Sequence, residues 1–200
     1  AFSKRKKNGG IRLLNDFRLL NQKTEDDPFP SPNITDTLTN LRDCTVFSTI
    51  DMNKGYYQVD VDEKDRHKTG FVIAGEHYEF LRLPMGLSTS PKTFQRIVSR
   101  IFEKFDFVII FLDDILIFSR TEEEHATHVL AVLEKLREHG GTFNVNKSKF
   151  FQNQITYLGK TISKNGIQPD LDALRKLTDF KHPRTKKQLQ QIIGTINWFR

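Results

Sequence analysis

Cysteine is nearly missing from this 200-residue chain, where Cys44 stands alone. A single cysteine excludes an internal disulfide framework and fits a reducing compartment, with Cys44 read as a small apolar filler at a strand start. The acceptor patterns Asn33-Ile34-Thr35 and Asn146-Lys147-Ser148 are accordingly read as chance. No run of about 18 apolar residues occurs, so no membrane span is expected. The opening residues, Ala1-Phe2-Ser3-Lys4-Arg5-Lys6-Lys7, lack the apolar core of a signal peptide. Repeats and low-complexity tracts are absent too. What is present, 37% hydrophobic and 28% charged residues, suits one or two globular domains with a real core.

Charge is in excess on one side. The formal net charge is +6, with four consecutive bases at residues 4–7 and Arg184, Lys186 and Lys187 together near the C-terminus. Such a surface attracts polyanions, nucleic acid above all. By itself it reads as a solubilising surface.

The local pattern alternates hairpins with helices. Asn8-Gly9-Gly10 predicts a hairpin within residues 1–22. Pro28, Pro30 and Pro32 make an extended connector, and a short helix is expected around Thr35 to Leu41. Val46 to Ile50 reads as a strand running into Asp51, and residues 70–83 as a hairpin turning at Ala74-Gly75-Glu76. Ser90 as N-cap with Pro91 behind it starts a helix whose stripe is Phe94, Ile97, Val98, Ile101, Phe102 and Phe105. Thr121 and Glu124 form a capping box for a helix expected to turn Ala126, Val129, Leu130, Leu133 and Leu136 inward and to stop at Gly140-Gly141. Residues 155–167 predict a further hairpin with Asn165-Gly166 at its exit. Two helices close the chain, the last capped by Thr185 and Gln188 and burying Leu189, Ile192, Ile193 and Ile196. Antiparallel hairpins with packed helices argue for an α+β fold. A start in a strand and an end within a helix point to a piece of something larger.

Chemistry concentrates at Phe111-Leu112-Asp113-Asp114. Apolar runs flank the two acids, Phe107 to Leu112 before and Ile115 to Phe118 after, and read as two buried strands. An unpaired charge between them loses several kcal/mol or more of hydration. A bound cation compensates that cost, and Mg²⁺ favours carboxylate oxygens. A solvated hairpin tip is the alternative, since Asp is a common turn residue. Asp51 ends another apolar strand. If that strand lies beside the 107–118 hairpin, three carboxylates meet at one sheet edge, a set able to hold two divalent ions about 3.5–4 Å apart for an in-line phosphoryl displacement. His125 and His128 share a helix but have no third ligand in the sequence, so no metal is expected there.

Taken in order, the segments Lys6-Lys7-Asn8-Gly9-Gly10-Ile11-Arg12, Asp16 to Asn21, Phe47 to Asp51, Gly55-Tyr56-Tyr57-Gln58, Tyr78 to Leu81, Leu83 to Leu87, Ser90-Pro91, Phe94-Gln95, Phe111 to Ile117, Tyr157-Leu158-Gly159, Ile193-Gly194 and Asn197 to Arg200 span nearly the whole chain. In that order they closely resemble the reverse transcriptase domain of LTR retrotransposons, in the Gypsy-type (metavirid) branch, with retroviral and caulimoviral polymerases as relatives. The resemblance implies a right-hand polymerase fingers–palm with an antiparallel palm sheet backed by helices and the start of the thumb. It divides the chain into fingers at 1–45, palm at 46–70, a fingers/palm hairpin and helix start at 71–95, palm with the primer-grip hairpin at 96–165, and the beginning of the thumb at 166–200.

It also implies roles. Asp51, Asp113 and Asp114 are the catalytic and metal-binding acids, for two Mg²⁺ ions with Mn²⁺ as a substitute. Lys7 (or Lys6) and Arg12 clamp the incoming dNTP, where Arg is a forked donor and Lys a point charge. Tyr56 is the aromatic gate against a 2′-hydroxyl, and Met85 and Gly86 line the nucleotide side. Gln95, Phe111, Tyr157, Leu158 and Gly159 are on the nucleic-acid side. Lys147 or Lys149 is near the proton donor to pyrophosphate.

Partners implied are an RNA or DNA template with primer, dNTPs, and RNase H and integrase regions of a longer polyprotein, with no membrane. The implied location is the cytoplasm, in a virus-like particle, or the nucleus. The chain departs from the family pattern at Phe111 (usually Tyr), Tyr57 (commonly His) and Asn15 (commonly Val). Two rivals to the RNA-directed DNA polymerase reading are an inactive nucleic-acid-binding remnant and a structural subunit.

Overall fold

In the computed structural model of the chain, the described residues are 2–5, 9–29, 41, 43–169 and 182–199. Strands β1 (Phe2–Arg5) and β2 (Ile11–Leu14) pair antiparallel, Arg5 facing Ile11, so the expected basic hairpin forms. Lys6, Lys7 and the helix expected around Thr35 to Leu41 lie outside the described residues, apart from Leu41 itself. Helix α1 (Arg18–Asn21) follows, then β3 (Val46–Asp51). A 3₁₀ turn at Gly55–Gln58 and helix α2 (Glu63–Arg66) lead to the hairpin of β4 (Phe71–Ile73) and β5 (Glu76–Tyr78). That hairpin turns at Ala74 and Gly75, both with positive φ.

Helix α3 (Ser90–Ile101) departs from expectation at its start. Thr89 holds the N-cap position, and the buried Ser90 hydroxyl donates instead to the Pro84 carbonyl at 2.8 Å. Ser90 therefore ties the helix to the preceding loop, which a residue-by-residue cap rule does not reveal. β6 (Val108–Phe111) and β7 (Asp114–Ser119) form the predicted apolar hairpin. Helix α4 (Glu122–Glu138) opens on the expected cap, Glu124 N–H donating to Thr121 Oγ1 at 3.2 Å while Glu124 Oε2 accepts from the Arg120 N–H. Its buried face is His125, Val129, Val132 and Leu136, whereas Leu130 is 62% exposed. The inward face is thus rotated from the leucine stripe, because His125 is anchored to the sheet. Gly140, with φ +66, and Gly141, donating to the Leu136 carbonyl at 2.7 Å, close the helix as expected.

The chain continues through β8 (Lys149–Gln152) and a three-stranded meander, β9 (Gln154–Tyr157), β10 (Lys160–Ser163) and β11 (Gly166–Pro169). The single hairpin expected at 155–167 is therefore two, sharing β10. Helix α5 (Lys186–Phe199) has the predicted Thr185–Gln188 capping box. Its stripe is not buried as expected: Leu189, Ile193 and Ile196 are exposed, and Ile192 is half-buried.

The centre is a four-stranded antiparallel sheet in the order β6-β7-β3-β8. Ile50, Ile115 and Ile117 face Phe94, Val98 and Phe102 of α3 and Val129, Val132 and Leu136 of α4. Phe47, Leu116 and Phe118 face Ile155, Tyr157 and Ile162 of the meander. Covering both faces explains why β7 is apolar at successive positions rather than alternating. Each fully buried Ile or Phe here contributes about 1.5–3 kcal/mol. Among the described residues no helix is long and apolar enough to cross a membrane.

Candidate active site

Three acids come together at one end of this sheet. Asp51, the last residue of β3, is the register partner of Asp114, the first residue of β7. Asp113 lies in the turn before it, and the Asp113 carbonyl accepts from the Met52 N–H at 2.9 Å. The turn itself is Leu112-Asp113, between the paired Phe111 and Asp114. Leu112 has φ +52, the left-handed region, at the place where such two-residue turns favour glycine.

Gln95 holds the turn in that shape. Its Oε1 accepts from the Leu112 N–H at 2.6 Å, and its Nε2 donates to the Ile110 carbonyl at 3.0 Å and to Ser99 Oγ at 3.2 Å. Gln95 is 4% exposed. The expected contact with nucleic acid is thus corrected: its amide is spent on the hairpin backbone, reached from the neighbouring helix.

Burial first, then the charges of Asp114 and Asp51, pushes the Asp113 carboxyl above its ordinary range, with Lys147 opposing. Asp114 is raised by partial desolvation and then by Asp51, although its side chain reaches solvent. Asp113 Oδ1 is buried with no hydrogen-bond partner. It lies against Gly55 in the 3₁₀ turn, where a β-carbon would strike that oxygen and come within 2.8 Å of Phe94 Cζ. Asp51 is matched differently. Lys147 Nζ stands 3.2 Å from both of its carboxylate oxygens.

These residues suit a hard divalent cation. All three donors are carboxylates, and a buried oxygen without a partner is what a cation would satisfy. As arranged, no three acidic, imidazole or thiol groups among the described residues converge closely enough to hold an ion, and Asp51 is paired with Lys147.

Tyr56 stands beside the acids. Its ring meets Phe94 edge-on at 5.3 Å, and burial, then Asp113, raises its hydroxyl pKa. Met85 is half-buried, and Gly86 has φ +104, out of reach for most side chains without strain. Asn21 fixes this loop by donating to the Gly86 carbonyl and accepting from the Ser88 N–H, both at 2.9 Å. Arg12 is in β2 across from Lys4, and Lys7 falls outside the described residues.

Phe111 is half-buried against the meander. Tyr157 is buried, and its hydroxyl donates to the Asp114 carbonyl at 3.3 Å, so it supports the acid strand from below and does not present its ring to a primer. Desolvation, then Asp114, raises its hydroxyl pKa. Leu158 and Gly159, both with positive φ, form the β9–β10 turn.

Sequence reasoning assigned no role to Gly55 or Asn21 and did not separate Lys147 from Lys149. A glycine next to the proposed gate was the available signal for Gly55. The histidines are structural. His125 is fully buried, with Nε2 2.6 Å from Ser48 Oγ and Nδ1 2.8 Å from Ser119 Oγ. His128 stacks on Phe107 with ring centroids 3.6 Å apart.

Comparison with known proteins identifies the family. The profile of the family "Reverse transcriptase (RNA-dependent DNA polymerase)" matches residues 4–162. The chain is 34% identical over 197 residues to the Transposon Tf2-3 polyprotein of Schizosaccharomyces pombe, covering 98% of this chain and 15% of that protein. It is 33% identical over 195 residues to the Pol polyprotein from transposon gypsy of Drosophila melanogaster, covering 96% of this chain and 19% of that one. The chain thus spans under a fifth of these relatives' length. Among solved structures, a foamy viral protease-reverse transcriptase in complex with double-stranded DNA superposes with a TM-score of 0.91 at 27% identity, over 98% of this chain and 35% of that one. Its complex with an RNA/DNA hybrid gives 0.86 at 26% identity, over 98% and 26% respectively.

Proposed function

The chain belongs to the reverse transcriptase (RNA-dependent DNA polymerase) family, and on that premise we propose that it is the fingers–palm portion of the polymerase of a Gypsy-type LTR retrotransposon. The reaction is attack of a primer 3′-hydroxyl on the α-phosphate of a template-selected dNTP, with pyrophosphate leaving. The observation that carries this reading is the acid set: Asp51 in register with Asp114, and Asp113 half-buried beside them with one buried, partnerless oxygen. Enzymes of this family generally depend on a divalent metal.

Asp51, Asp113 and Asp114 are the residues that would hold it, as two Mg²⁺ ions with Mn²⁺ a substitute. When bound, the metal offsets the charge that builds on the attacking and leaving oxygens. The protein's own contribution is position. Gln95 and Tyr157 fix the two sides of the acid hairpin, Gly55 leaves room for the Asp113 carboxylate, and Tyr56 rests on Phe94 at the border of the site. On this reading its ring rejects a 2′-hydroxyl. Asn21 sets the Met85-Gly86 loop, assigned to the nucleotide side, and Arg12 with Lys7 supplies positive charge toward its phosphates. Leu158, Gly159 and Phe111 border the primer side.

Template-primer is the expected polyanion, matching the complexes formed by the structural neighbours and the net charge of +6. RNase H and integrase segments are expected in the longer polyprotein, working in a virus-like particle. Primer extension on RNA and DNA templates tests the activity, in the 200-residue chain and in the longer polyprotein. The double substitution Asp113→Asn with Asp114→Asn should abolish extension and leave template-primer binding intact. Binding without extension by the wild type in both forms would instead establish an inactive nucleic-acid-binding module.

A further inference from the structure

Lys147 is the one cation placed directly on the acid set among the described ion pairs, and its placement is built into the chain. It sits in the loop between the α4 end and β8. That loop is stitched to the end of β3: the Asn144 N–H donates to the Asp51 carbonyl at 2.8 Å, and the Asp51 N–H donates to Ser148 Oγ at 3.2 Å. Ser148 Oγ donates in turn to the Asn144 carbonyl at 2.8 Å. The Lys147 and Ser148 N–H groups also bond that carbonyl, at 3.2 and 3.0 Å, which curls the loop into a tight turn. Lys147 thus projects from a turn hydrogen-bonded on both sides to the residue whose carboxylate it meets.

The pairing is nearly symmetric, with Nζ at 3.2 Å from Oδ1 and from Oδ2. The side chain is nevertheless 64% exposed, so the ammonium can leave toward water without crossing packed structure. Lys149, two residues on, belongs to β8 and faces Thr49 in the register, away from this role. An ammonium and a divalent cation cannot both sit against the Asp51 carboxylate, because like charges at such distances repel strongly.

We propose that Lys147 is a tethered counter-cation, holding the Asp51 carboxylate in the metal-free chain and yielding it when a divalent ion binds the acids. The inference rests on the reading of Asp51, Asp113 and Asp114 as the metal-binding set. Without Lys147, three carboxylates would face one another at the sheet end with no fixed positive charge. With it, the strand end folds neutralised in part, at the expense of metal affinity.

The test is direct binding of Mn²⁺ alone to the full 200-residue chain at one fixed pH, followed by the electron paramagnetic resonance signal of free Mn²⁺. Lys147→Gln should bind about two- to fivefold more tightly, the range expected when an ion pair near the surface stops competing. In EDTA it should melt below the wild type, and added Mn²⁺ should raise its midpoint further than it raises the wild-type midpoint. Lys147→Arg, which keeps the charge, should restore both properties. Equal or weaker Mn²⁺ binding by Lys147→Gln would overturn the proposal. Asp113→Asn tests the acid set itself: wild-type Mn²⁺ affinity in that variant would show that the ion binds elsewhere, and the acid set and the counter-cation would both be ruled out.

Discussion

The backbone of Gly55 lies directly against the Asp113 carboxylate, leaving no room for a side chain between them. Replacing Gly55 with Ala must therefore move either Asp113 or Phe94, and overpacking of this kind costs about 1–3 kcal/mol. Because Asp113 is in a turn and Phe94 in a packed core, the carboxylate is the softer of the two. We expect Gly55→Ala to lower single-nucleotide incorporation about 100-fold or more, with template-primer affinity within about twofold of wild type. Incorporation near the wild-type rate would show that the acid tolerates displacement.

Gln95→Leu should act on the same hairpin from the other side. It strips the Leu112 N–H and the Ile110 carbonyl of their partners, leaving buried polar groups worth about 1–3 kcal/mol. The expected result is an incorporation rate down about tenfold or more, with unchanged nucleic-acid affinity. A selective loss of template binding would return Gln95 to a direct contact.

Stability should depend on pH through two opposed groups. Burial, and then the charge of His128, lowers the His125 pKa from 6.5 to about 4. A depressed histidine contributes stability that is present above the unfolded value and lost as pH falls from 6.5 through about 4. Asp113 and Asp114, raised in the fold, act in the other sense: their contribution is present below the ordinary carboxylate value of 3.8 and declines as pH rises through the raised one. Urea titrations of the metal-free chain should show His125→Gln weakening the rise in stability between about pH 4 and 6.5, and Asp113→Asn removing part of the opposing decline that begins near 3.8. Unchanged slopes in both variants would refute the assignment.

Tyr56→Val should increase ribonucleotide use by about tenfold or more relative to deoxynucleotide use, by removing the ring that rests on Phe94. Primer extension with each nucleotide type measures the ratio. An unchanged ratio would place the discrimination in another side chain.

Local signals and long-range contacts divided what could be read in advance. The runs around Asp113-Asp114 and the capping residues Thr121 and Thr185 act within a few positions, so those strands and the starts of α4 and α5 were legible. The role of Gln95 was not, since its partners lie 15 and 17 residues away and on another element. The inward face of α4 was misjudged for the same reason: Leu130 is as apolar as its neighbours, but the anchoring of His125 by Ser48 and Ser119 sets the rotation. Lys147 and Lys149 could not be told apart because only the turn at Asn144 decides which of them meets Asp51. The exposed stripe of α5 shows the limit of periodicity, which identifies an apolar face and not what covers it.

The pairing of Asp51 with Asp114 belongs to the same ladder that sets Phe47 opposite Phe118 and Ile50 opposite Ile115. Side chains alternate along a strand, so a slip of one residue would turn that whole set inside out. A chain that packs its interior has, by the same hydrogen bonds, already aligned Asp51 with Asp114. The sheet works as its own alignment gauge for this pair, and a well-packed molecule with Asp51 and Asp114 out of register is not an available state. Substitutions that loosen the β3–β7 ladder should therefore cost folding and chemistry together, whereas those at Gly55, Gln95 or Lys147 adjust the centre within an intact fold.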